Sequence, residues 1–295
     1  MAIKNWKNNL FLGLTGAFFA VGYSSLLATE TPLQNTPTLN KDSLAQSETN
    51  LKVSEYLEKN KPESYNYLKK QLEAGIEDAK KPSQDKVVNN LWSLSASNPK
   101  IKMRNNNGKD EYLMVIWTQG KYIPKEWKRG AKINIERQSW LTAASEVKDF
   151  CQNCKGTGID IPGNIMLSLR LQQYLGLVLN KNSEKTHFVE MWVKAEDLSR
   201  PCIDPEINDS SCKALPVTVL DKYPVLQKIY TDSYAVGKQN YPWTGLGYTY
   251  DWGNPNKPRQ GASEFLINGT NQKPTEVEIA DVKATQEYCN NQFLK

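Results

Sequence analysis

Hydrophobic positions along the chain follow helical spacing in its first third and strand alternation afterwards. Tyr65, Leu68, Leu72, Ile76 and Ala79 step by three and four residues and form one apolar stripe, with Ser64 to cap its start and Lys80-Lys81-Pro82 to end it. Ser83 opens a second predicted helix with Val87, Val88, Leu91 and Trp92 on one side, so residues 51–98 read as a helical arm. The alternating pattern begins near Lys100. Ile101 and Met103 alternate with charge, and Asn105-Asn106-Asn107-Gly108 is a turn rich in residues that accept positive φ. Tyr112 to Trp117 is apolar on both faces and predicts a central strand. Ile133 and Ile135, Phe188 to Val193, Tyr248 to Trp252, Phe265 to Ile267 and Val277 to Val282 add further strands. Helices are predicted around Ala143 to Phe150, from Asn164 to Leu175 before Gly176, and over 222–236. Strands and helices interleave irregularly, a hairpin is present, and no period recurs. The expected fold over 99–295 is therefore α+β, a mainly antiparallel sheet with packed helices.

The N-terminal pattern differs in kind. Lys4 and Lys7 precede an apolar run from Leu10 to Val21, small and apolar residues continue to Ala28, and Thr29-Glu30-Thr31 is polar. That is an export signal over 1–28, or an N-terminal anchor if uncleaved, because the run is long enough to reach across a bilayer. Cleavage after Ala28 is the preferred reading although Leu26 is large for its position. Residues 29–50 have no apolar period and read as a flexible linker.

Composition adds that the chain has enough apolar and aromatic residues (39% and 10%) for a sizeable core, with a net charge of +5. The charges are mixed in sign along the sequence, which argues against a nucleic-acid partner. The expected location is periplasmic or extracellular, with membrane contact only through an uncleaved N-terminus.

Export changes how the five cysteines are read. In an oxidising compartment they predict two disulfides. Cys202 and Cys212 bracket a short polar loop and pair first. Cys289 then joins Cys151 or Cys154, and Cys151 is preferred because Val147 and Phe150 put it at the end of an apolar helix face. Cys151-Gln-Asn-Cys154 lacks the strand-then-helix context of a redox motif and has no second Cys-x-x-Cys to complete a zinc site. Asp204, Glu206 and Asn208 place oxygens at alternate positions, but Asp209 and Leu215 stand where an EF-hand needs Gly and Glu. No metal or cofactor is expected.

The chain has one histidine, His187, at the rim of a predicted strand, and no Gly-x-Ser-x-Gly elbow to partner it. Glu190 lies between Phe188 and Trp192 on one strand face, where lost hydration would raise its pKa. Glu190 as acid with Asp251 as base or nucleophile would suit glycoside hydrolysis; pairing of Glu190 with Arg200 or a lysine is the competing reading. The densest aromatic stretch runs from Tyr241 to Asn254. Tyr241, Trp243, Tyr248, Tyr250 and Trp252, with Trp192, are the candidate ligand-binding residues, flat faces with polar tips that suit a glycan. Ordinary core packing is the alternative.

The stretches Phe188-Val-Glu-Met-Trp-Val193, Arg200-Pro-Cys-Ile-Asp-Pro-Glu-Ile207 and Tyr241 to Asn254 resemble a family of uncharacterised bacterial secreted proteins, over roughly Glu111 to Cys289. The resemblance implies a bacterial, exported protein and carries over no catalytic residue. Two functions are carried forward: a non-enzymatic binding or structural domain of the envelope or extracellular space, with a glycan or envelope component as partner, and a carboxylate-dependent glycan hydrolase.

Overall fold

The structure is a computed structural model that describes residues 52–181, 184–237 and 239–290; the predicted signal or anchor over 1–28 and the predicted linker over 29–50 lie outside the described residues. Helices α1 (Val53–Asn60) and α2 (Pro62–Ala79) are followed by strands β1 (Met103–Asn106) and β2 (Lys109–Thr118). Next come β3 (Lys132–Ile135), β4 (Gln138–Ala143), α3 (Ala144–Asn153), α4 (Gly163–Tyr174), β5 (His187–Lys194) and β6 (Leu198–Ser199). The chain continues through α5 (Pro224–Tyr234), β7 (Tyr248–Tyr250), β8 (Gln260–Ser263), β9 (Phe265–Asn268), β10 (Thr275–Ala284) and α6 (Thr285–Cys289). The main sheet has eight strands in the order β3-β10-β5-β2-β4-β9-β6, with β1 added beside β2; β7 and β8 form a separate ribbon. Its pairings are antiparallel. The α+β class, the antiparallel sheet and the packed helices are as the sequence predicts.

The β1–β2 hairpin turns at Asn107 and Gly108, both at positive φ, the geometry of a two-residue primed turn. Strand alternation then sorts side chains to two faces. Tyr112, Met114, Val189, Met191, Val193, Val277 and Ile279 point to one face, beneath irregular segments that contribute Leu94, Trp92 and Trp127. Leu113, Val115, Trp117 and Phe188 point to the other, beneath α3, α4 and α6. Helix α4 is buried on two sides. Its Leu167 and Leu171 meet the sheet, and its Ile165 and Leu169 meet α1, α2, Tyr250 and Trp252. The predicted arm is thus part of the core. Gly75 of α2 lets the helix lie on Tyr250, since a Cβ there would stand 2.9 Å from the ring. Glu184 accepts from the Ser54 N–H at 3.2 Å and caps α1 from far along the chain.

The second predicted helix of the arm does not form. Gln84–Lys86 makes one 3-10 turn, and residues 87–99 run irregularly. Val87, Val88, Asn89 and Asn90 are weak helix formers. Leu91 and Leu94 both turn inward, and their N–H groups bond Ser210 O at 2.9 Å and Ile207 O at 2.6 Å, so long-range pairing replaces the helical ladder.

Both predicted disulfides are present, Cys151–Cys289 and Cys202–Cys212, with Cα separations of 5.0 and 6.3 Å. Cys154 is buried at the C-terminal end of α3, where a helix dipole disfavours a thiolate. Cys151–Cys289 fastens α6 onto α3 across 138 residues. Replacing both cysteines by alanine is expected to lower the unfolding free energy by about 5 kcal/mol on the loop-entropy account, read as a fall in urea midpoint. A loss below about 1 kcal/mol would mean that packing alone holds α6.

Candidate functional site

The two predicted acids are held by different sets of partners. Glu190 is 6% exposed on β5, on the same sheet face as Phe188 and Trp192 as its alternation requires. Its carboxylate pairs with Lys148 of α3 and accepts the Tyr288 O–H at 3.0 Å. Asp251, just past β7, pairs with Arg170 of α4 at 3.0 Å and accepts the Gly253 N–H at 2.9 Å. Among the described residues the two acids share no partner, and α4 contributes to both apolar clusters, the one around β7, just before Asp251, and the one around Glu190's strand. Directly opposite Glu190 stand Val115 of β2 and, on the other side, Asp281 of β10, which pairs with Arg129 and Lys283.

The aromatic stretch lies in the interior. Tyr248, Tyr250 and Trp252 are buried, and each polar tip is satisfied: Tyr248 donates to Lys86 O at 2.8 Å, Tyr250 to Asp78 at 2.9 Å, Trp252 to Leu177 O at 2.8 Å. Trp243 is buried against Leu215, Leu220 and Leu266. Tyr241 is half-buried and accepts from Gln239 at 3.1 Å. Trp192 is half-buried under the Arg104 guanidinium, 4.6 Å from its ring centroid. These six residues do not converge on one open surface.

An open polar groove of about 330 Å³ lies elsewhere, along the irregular segment 90–100. Asn90, Trp92, Ser93, Ser97, Asn98 and Lys100 line it. The Lys100 ammonium stands 5.3 Å from the Trp92 ring centroid. The segment braces itself: Asn98 donates to Ser93 O at 2.9 Å and accepts the Lys100 N–H at 3.1 Å. Buried Leu91 and Leu94 anchor its inner edge. Neither this groove nor the narrow apolar crevice beside Trp243 is lined by Glu190 or Asp251.

A buried polar chain fixes the groove from below. The Trp92 N–H donates to Ser263 Oγ at 2.8 Å, and Trp92 O accepts Arg200 Nη2 at 2.8 Å. Ser263 donates through both its N–H, at 2.9 Å, and its hydroxyl, at 3.1 Å, to Glu146 Oε1. Burial pushes the Glu146 carboxyl up to about 7 against the hydrogen bonds from Ser263 and the Arg200 charge, which lower it. Glu264, next along the chain, is pushed up to about 8 by burial. Sequence reasoning missed Glu146, although the sequence carries one signal for it: the residue falls within the Ala143, Val147, Phe150 stripe of its helix. Nothing local links it to Trp92 or Arg200.

Among the described residues one grouping of metal-ligating side chains converges, Cys202, Asp204 and Cys212, within 4.8 Å. The disulfide takes both sulfurs, and Asp204 Oδ1 accepts the Lys213 N–H at 3.1 Å, so this set serves the loop. Helices long and apolar enough to cross a membrane are absent among the described residues. No family model, curated protein or solved structure matches the chain.

Proposed function

We propose that this chain is an exported, non-enzymatic binding domain that takes a hydroxyl-rich ligand, a glycan of the cell envelope, in the groove at residues 90–100. The observation that carries the reading is the groove's lining: a half-buried indole flanked by amide and hydroxyl side chains and one ammonium, with no acid among them. Such a set offers a flat apolar face and hydrogen-bond partners of both kinds to a sugar, and favours neutral or anionic ligands over cationic ones. The braced backbone lowers the ordering cost of binding. The two disulfides support an oxidising compartment. The Trp92→Ala protein should bind soluble peptidoglycan fragments at least about tenfold more weakly than wild type by calorimetry, measured in the absence of urea where the variant is folded, its urea midpoint being lowered by the lost packing of Trp92 on the core. Equal affinity in the two proteins, or no binding by wild type, would sink the groove reading.

Glycan hydrolysis is the second reading, and the observation that favours it is that Asp281 stands directly opposite Glu190 on the neighbouring strand β10, which puts two carboxylates side by side. Turnover of peptidoglycan by wild type that is lost in Glu190→Gln with the fold intact would establish it.

A further inference from the structure

We infer that Glu146, acting through Ser263, sets the position of Trp92 and makes the groove pH-sensitive. The effect on ligand affinity rests on the groove reading above; the effect on Trp92 does not. Three observations carry the inference. Glu146 Oε1 receives both donors of Ser263, and the same Ser263 oxygen receives the Trp92 N–H, so one hydroxyl relays the carboxyl's state to the groove backbone. The other side of Trp92 is held by Arg200, the cation that faces Glu146. Glu146 Oε2 and Arg200 Nη1 are both buried without a hydrogen-bond partner among the described residues, so the carboxyl has an oxygen on which to carry a proton and a nearby cation to answer its loss.

The groups facing Glu146 are Arg200, which favours ionisation, Asp149 on its own helix, which opposes it, and Tyr174 at the end of α4, whose own deprotonation burial strongly disfavours. When Glu146 is ionised, the Ser263 hydroxyl donates to a carboxylate. That bond is shorter and stronger than one to a neutral acid, and it polarises the hydroxyl oxygen as an acceptor for Trp92. Raising the pH through about 7 therefore tightens the hold on Trp92. Protonation relaxes it.

The test uses protein labelled with ¹⁵N-tryptophan, the Trp92 backbone amide being assigned by its loss in Trp92→Phe. In wild type this amide should titrate with a midpoint near 7. It should not do so in Glu146→Gln, which keeps the shape and the acceptor, nor in Ser263→Ala, which breaks the relay. Affinity for a soluble peptidoglycan fragment should rise about fivefold from pH 6 to pH 8 in wild type and stay flat in Glu146→Gln. A Trp92 amide that does not titrate, or that titrates equally in Glu146→Gln, overturns the inference. A titrating amide in a protein that binds no fragment at any pH sustains the relay and removes only the ligand reading.

Discussion

Arg200→Ala is expected to lower the unfolding free energy by about 4 kcal/mol. Arg200 is fully buried, and its guanidinium gathers three carbonyls from two stretches of backbone, Trp92 and the 206–209 loop. Nε donates to Glu206 O at 3.1 Å, and Nη2 donates to Trp92 O at 2.8 Å and Asp209 O at 2.9 Å. The group also stands 4.6 Å over the Phe265 ring and 3.6 Å from the Asp209 carboxylate. Truncation leaves three partly buried carbonyls without this donor, at up to about 1–3 kcal/mol each, and forfeits the ring contact. Removal of a desolvated cation offsets part of that, because burial already disfavours the charged form. Arg200→Lys should recover little, since one ammonium cannot span three carbonyls in a planar fork. Urea unfolding measures both variants; an Arg200→Ala loss below about 1 kcal/mol would mean that solvent satisfies the carbonyls. Trp92 loses one of its two backbone anchors in the same variant, so groove binding should weaken along with stability.

What the sequence made legible follows the range over which each signal acts. The central strands β2, β5 and β10 carry continuous apolar patterns, and the β1–β2 turn is written in Asn107-Gly108. The disulfide pairing was readable because the expected export, loop length and one helix face pointed to the choice. Segment 83–98 was misread because Val87, Val88, Leu91 and Trp92 satisfy a helical period as well as an extended ledge. The deciding partners, Ile207, Ser210 and Ser263, lie more than a hundred residues away. The alternation of Tyr248, Tyr250 and Trp252 was legible, but the arrival of α2 at Gly75 decides that Tyr250 and Trp252 are interior, and Leu91 with the Cys202–Cys212 loop covers Tyr248. For Glu190 and Asp251 the residue types stood out, while Lys148, Tyr288 and Arg170 come from elements whose docking no local pattern records.

The second large effect has the opposite sign: Glu264→Gln should stabilise the protein at alkaline pH by roughly 4 kcal/mol. Glu264 is buried at the β8–β9 junction, and its Oε2 has no hydrogen-bond partner. Burial alone pushes its pKa from 4.5 up to about 8. The folded state therefore holds a proton that the unfolded chain gives up near 4.5. Stability from this group is fully present below pH 4.5 and is lost as pH rises toward 8, at about 1.4 kcal/mol per unit. Glu146 acts in the same direction but stops near pH 7. Glu278, held below its ordinary value by Arg104, acts oppositely and only in acid. Wild type should thus lose stability steeply between pH 5 and 7 and continue to lose it to pH 8. Glu264→Gln should lose it more gently and level off near pH 7, where Glu146 finishes. At pH 5 the amide offers no advantage, since the native acid is already neutral and an unmet amide N–H costs about 1 kcal/mol. Urea midpoints of the two proteins should therefore cross between pH 5 and 6 and diverge above. Parallel pH profiles in the two proteins would show that Glu264 ionises at no cost in the fold, with its carboxylate reached by solvent.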